Sequence, residues 1–125
     1  MHALKIFQLI SWISLPTVMF GGYALLGAAG DKLTPEQRSL FRAGHAHAGV
    51  LLILSLVYEL QIAALPLAVA VQQVGCSLLL AGIVLQSGGF FWRAFLGSAG
   101  TQLTRVGAVL LAAALIVVIG GLVAA

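Results

Sequence analysis

Four long apolar runs follow one another along this chain, and they limit its possible folds more than any other feature. They cover residues 6–29, 43–65, 67–88 and 103–125. A helix that crosses a bilayer needs about 20 mostly apolar residues, so these runs can supply four spans with short connections. We therefore expect an all-α integral membrane protein, a single transmembrane domain folded as a four-helix bundle with antiparallel up-down topology.

The composition excludes the common soluble enzymes. Hydrophobic residues make up 62% of the 125 positions and charged residues only 7%, against roughly 25% charged residues in an average soluble domain. The chain has no carboxylate pair, no Gly-x-Ser-x-Gly elbow and no phosphate-binding glycine loop. The basic residues are scattered, so we expect no nucleic-acid partner.

The distribution of basic residues predicts an orientation. The N-terminal flank has only Lys5, and the second connection and the C-terminus have none. The other basic residues lie in the first and third connections: Lys32, Arg38, Arg42, Arg93 and Arg105. Because short cytoplasmic loops carry the excess of Lys and Arg, we expect these two connections to be cytoplasmic and both termini to lie outside a bacterial plasma membrane.

Local sequence signals indicate where the second helix begins and ends. Thr34-Pro35-Glu36-Gln37 has the chemistry of a capping box, with Thr34 as N-cap, proline at the first helical position and glutamine at the third. We predict a helix from about Pro35 to about Ala64, which Pro66 stops. Further on, an aromatic cluster lies beside Arg93, and we expect residues 89–100 to form a short interfacial segment.

Most of the polar residues that fall within a span lie on this second helix. At about 100° per residue, one face gathers seven of its residues: Arg38, Arg42, His45, Gly49, Leu52, Leu56 and Glu59. His47 lies about 200° from His45, on the side of Tyr58. Ionisable groups in a span are candidates for function by default. We expect Tyr58 and Glu59 to lie in the far interfacial zone.

The two histidines cannot chelate one ion from a regular helix. Such a pair needs a spacing of three or four residues, and His45 and His47 are two apart. A single histidine can still be an axial ligand of haem. Arg42 lies one turn before His45 and Gly49 one turn after it, which offers a cation for a propionate and a small residue beside the macrocycle.

The stretch from Arg42 through His45 to Tyr58 resembles the second transmembrane helix of haem-copper oxidase and nitric-oxide-reductase large subunits. It also resembles short four-helix membrane proteins whose His-x-His precedes an apolar helix ending in tyrosine. The resemblance implies a b-type haem held by His45, with Arg42 as propionate partner, in a redox-associated subunit. Because no histidine follows His47, a homo-oligomer would supply the second ligand from a second copy of His45.

Other interpretations stay open. His45 and His47 are also typical of polar helix ends at a bilayer surface, hydrogen-bonded to water, lipid headgroups or a neighbouring helix. A small four-helix transporter would use Glu59 as its membrane-embedded acidic residue. An accessory or assembly subunit of a larger membrane complex, without a cofactor, would have the same composition because helix packing alone favours glycine and alanine.

Overall fold

The computed structural model describes residues 2–125, with side-chain surroundings for all of these except residues 2, 3 and 28. Every element in this range is a helix. The helices are α1 (His2–Leu26), α2 (Ala28–Asp31), α3 (Pro35–Ala64), α4 (Val69–Leu96) and α5 (Ala99–Ala124). Four of them, all except the single turn of α2, are long and apolar enough to cross a membrane.

The start of α3 is fixed by the capping box that the sequence predicts. The Gln37 backbone N–H donates to Thr34 Oγ1 at 3.2 Å, and the Thr34 N–H donates to Gln37 Oε1 at 3.0 Å. The same glutamine donates its side-chain amide to the Ala94 carbonyl at 3.2 Å. The cap therefore also ties the beginning of α3 to the end of α4.

Helices α4 and α5 approach each other closely through glycines. An ideal Cβ on Gly82 would lie 2.8 Å from the Leu111 side chain, and Gly89 faces the backbone of Gly100. Only residues 97 and 98 separate the two helices, and Gly97 has the positive φ of 108° that favours glycine. The expectation of an interfacial segment over residues 89–100 is therefore wrong. Small residues let this stretch pack helix against helix instead.

The core lies among α3, α4 and α5, while α1 packs on its outside, chiefly against α3. The buried core side chains of these three helices are Leu52, Tyr58, Ile62, Cys76, Leu79, Ile83, Leu111 and Ala114. Helix α1 leaves most of its large apolar side chains exposed on the outside of the bundle, among them Ile13, Phe20 and Tyr23. Its contact with α3 is therefore the least enclosed of the major helix contacts.

Candidate functional site

The polar face predicted for α3 packs against α1. His45 lies against Gly21 and Gly22, Gly49 faces Val18, and Glu59 contacts Ser11. We call this contact the α1–α3 seam, defined by Ser11, Gly21 and Gly22 of α1 and by His45, Ser55 and Glu59 of α3. The prediction that His45 and Glu59 share a face is thus confirmed, and the seam holds both titratable side chains of that face.

Glu59 is the most unusual residue of the seam because its side chain is fully buried, with 0% of its surface exposed. One carboxyl oxygen, Oε1, accepts a hydrogen bond from the Ser11 hydroxyl at 2.9 Å. The other, Oε2, is buried with no hydrogen-bond partner. A buried polar atom without a partner is costly, so this oxygen is a place where a bound species would be stabilised.

Two serine hydroxyls continue from the carboxyl group of Glu59. Ser55 Oγ lies 2.8 Å from Ser11 Oγ and 2.7 Å from the Leu52 carbonyl oxygen. Since a hydroxyl has one proton and can rotate, Ser55 can donate to either of these acceptors. Both serines are fully buried, and the three side chains form a short polar chain within an apolar bundle.

No opposite charge compensates Glu59 among the described residues. The one ion pair found there joins Arg38 to Asp31 at 3.8 Å, both near the start of α3, where His45 also lies. Buried Cys76 of α4 is the titratable side chain close enough to interact with the carboxyl group from a neighbouring helix. An isolated charge in such surroundings is strongly disfavoured, which favours the neutral, protonated carboxyl group.

The interfacial positions expected for Tyr58 and Glu59 are wrong. Tyr58 is buried and donates its hydroxyl to the Ala114 carbonyl at 2.8 Å, because α5 covers that side of α3. Glu59 is covered by α1. Sequence reasoning also missed Ser11 and Ser55. Ser55 had a detectable signal, since it lies one turn before Glu59 on the same face, but nothing local distinguished Ser11.

His45 lies in a cradle of glycine backbone at the other end of the seam. A Cβ added to Gly22 would lie 2.6 Å from Nε2 of the imidazole, and one added to Gly21 would lie 3.7 Å from Nδ1. Beside the ring is a cavity of about 210 Å³. It is lined by Thr17, Val18, Gly21, Phe41, His45, Ala48 and Phe91.

This arrangement does not fit a haem at His45. Axial ligation needs an open space in front of the ring nitrogen, and Gly22 of α1 stands in front of Nε2. Gly49 faces Val18, and Arg42 is exposed in a separate surface groove that it shares with Arg38. The residues expected around the macrocycle therefore do not surround one common space.

His47 is separate from the seam, as its angle on the helix predicts. Its Nδ1 lies 2.8 Å from the Ala43 carbonyl oxygen, and its ring packs on Phe90 of α4 with ring centroids 4.9 Å apart. A groove of about 230 Å³ borders it, lined by Ala46, His47, Val50 and Leu51. Over residues 2–125, no group of three or more His, Cys, Asp or Glu side chains is arranged to hold a metal ion.

Comparison of the chain with protein-family models, with curated proteins and with solved structures gave no match. The fold and the site define a class by themselves. The chain is a small all-helical protein with four helices that can span a membrane, and it carries a fully buried, uncompensated carboxyl group on the contact between its first and third elements of membrane length.

Proposed function

We propose that this protein is a small integral membrane transporter that moves protons across the bilayer, with Glu59 as the proton-binding group. One observation carries the proposal. The Glu59 carboxyl group is fully buried and has no counter-charge, and its Oε2 has no hydrogen-bond partner. Packing alone gives no reason to place such a group there, since ionisable residues inside spans are costly and mark proton relays and ion pathways.

The surroundings of Glu59 support exchange of a proton rather than a purely structural role. The Ser11 and Ser55 hydroxyls can donate or accept by rotating, so they can pass hydrogen bonds along without moving the backbone. A groove of about 210 Å³, lined by Gln8, Trp12, Leu56 and Leu60, lies on the outside of the same α1–α3 contact. Leu60 follows Glu59 directly, so this groove is the nearest opening toward the carboxyl group.

The proposal includes an arrangement in the membrane. The four long helices would span a bacterial plasma membrane as an antiparallel up-down bundle, with the first and third connections cytoplasmic and both termini outside. Glu59 lies near the end of α3 and Ser11 in the first half of α1. In this arrangement both belong to the outer half of the bilayer.

Proton flux into liposomes tests the proposal. The purified protein is reconstituted with a pH-sensitive dye inside the vesicles, and a potassium diffusion potential drives protons inward. We expect the wild-type protein to acidify the interior faster than protein-free vesicles do. Glu59→Gln should reduce the rate to that of protein-free vesicles, because the amide is nearly isosteric but does not titrate.

Glu36→Gln is the matched control, since it removes the same charge from an exposed residue in the first turn of α3. It should leave the flux unchanged. A wild-type rate equal to that of empty vesicles would refute the proposal, and so would full flux through Glu59→Gln. In either case, an accessory subunit without transport of its own would become the better interpretation.

A second candidate function, haem binding in a homo-oligomer, is favoured by one observation at His47. The Ala43 carbonyl oxygen accepts a hydrogen bond only if Nδ1 carries the proton, so Nε2 then holds the free electron pair. Metal-ligating histidines are typically oriented in this way. His47, rather than His45, would then hold a b-type haem for electron transfer, with the second ligand from another copy.

A reduced-minus-oxidised visible spectrum of the purified protein, with and without added haemin, tests this candidate. We expect a b-type spectrum that is lost in His47→Ala and kept in His45→Ala. Loss in His45→Ala alone would return the ligand to His45, and no spectrum under any loading condition would exclude haem binding.

A further inference from the structure

The α1–α3 seam carries a second titratable group, and its place in the seam gives it a role. His45 and Glu59 are 14 residues apart on one face of α3, which corresponds to about 21 Å along a helix. The hydrocarbon core of a bilayer is about 30 Å thick. The two groups therefore stand near opposite ends of the part of the seam that a membrane would cover.

Hydroxyl groups of α1 span the interval between these two residues. Ser11 contacts Glu59, Ser14 follows one turn later, and Thr17 lines the cavity beside His45. Ser14 and Thr17 donate to the backbone carbonyls of Ile10 and Ile13, at 2.7 Å and 3.4 Å. Each hydroxyl oxygen can still accept a hydrogen bond, so α1 offers a series of polar groups from one titratable side chain to the other.

The cavity beside His45 has the volume and the groups to hold water. At about 210 Å³ it far exceeds the roughly 10–15 Å³ that one water requires by the same type of measure. Of its described lining residues, His45 is the only titratable one and Thr17 is the other polar side chain. Arg42, one turn earlier on α3, is exposed on the surface.

We propose that His45 is the second proton-binding group of a path along the α1–α3 seam, exchanging protons with Glu59 through the α1 hydroxyls and water. This inference rests on the proposed function of Glu59. In the orientation given above, Glu59 serves the outer side and His45 the cytoplasmic side. Each transfer moves one proton from an imidazolium or a carboxylic acid to a hydroxyl or a water that gives up its own proton onward.

The test compares two histidines of the same helix in the liposome assay. His45→Gln should lower the initial proton flux by about tenfold or more, a typical effect of losing a positioned proton-transfer group. His47→Gln is the matched control and should keep the wild-type rate, because its ring packs on Phe90 outside the seam. Gel filtration and circular dichroism identify any variant that fails to fold.

Chemical rescue separates proton transfer from a structural role of the ring. His45→Ala should be slow, and imidazole added to the vesicles should restore part of its flux, with no such gain in Glu59→Gln. Flux through His45→Gln at the wild-type rate while Glu59→Gln is inactive would overturn the role of His45 and leave that of Glu59 standing. A slow His45→Ala without rescue would also overturn it. Equal rates for all variants and for empty vesicles would instead refute the proposed function itself.

Discussion

The contact between Gly22 and His45 gives the sharpest test of the structure. Gly22→Ala adds a Cβ that would lie 2.6 Å from Nε2 and 2.9 Å from Cε1 of the imidazole. Real Cβ atoms essentially never approach so closely, so the ring or α1 must shift. Overpacking of this kind costs about 1–3 kcal/mol, while replacing glycine by alanine inside a helix contributes about 0.5–1 kcal/mol of stability.

We therefore expect Gly22→Ala to lower the free energy of unfolding by up to about 2 kcal/mol. Combining it with His45→Ala removes the clash, and the alanine then contributes only its helix propensity. The double-mutant cycle should give a coupling energy of about 1–3 kcal/mol. Denaturant unfolding in detergent, followed by circular dichroism, measures all four proteins of the cycle.

Gly120→Ala is the control for the propensity effect. A Cβ at Gly120 would meet nothing within 4 Å, so this variant should gain about 0.5–1 kcal/mol. Additive effects of Gly22→Ala and His45→Ala would refute the packing of His45 against α1. So would stabilisation of the wild-type background by Gly22→Ala to the same extent as by Gly120→Ala.

Three further substitutions test other parts of the structure by the same unfolding measurement. Thr34→Ala should cost about 0.5–2 kcal/mol by removing the α3 cap, and Thr34→Ser should restore most of it; equal stability of all three proteins would contradict the cap. Tyr58→Phe should cost about 0.5–1.5 kcal/mol through its lost hydrogen bond to Ala114, whereas Tyr23→Phe, at an exposed position, should cost nothing. Ser11→Ala should cost about 1–3 kcal/mol because it leaves buried Glu59 with no donor; an unchanged stability would exclude this contact.

Features set by neighbouring residues in the chain could be predicted from the sequence. The start of α3 follows from four consecutive residues, and the same capping bonds are present in the structure. The common face of His45 and Glu59 follows from the helical period alone. Neither prediction needs knowledge of any other helix.

Features that depend on which helix covers a face could not be predicted. Glu59 lies only a few residues before Pro66, so sequence distance indicated an interfacial position. Its burial comes from α1 and from Ser11, which is 48 positions away. The glycine cradle of His45 is non-local in the same way, because Gly22 is identified as its partner only when α1 and α3 are seen together.

The protonation state of Glu59 inside the bundle tests the central claim most directly. Infrared difference spectroscopy of the reconstituted protein at neutral pH detects the carbonyl stretch of a protonated carboxylic acid and its shift in deuterium oxide. We predict such a band in the wild-type protein and in Glu36→Gln, and its absence in Glu59→Gln. A band that persists in Glu59→Gln, or a wild-type spectrum that shows only ionised carboxylates, would contradict a proton held at Glu59.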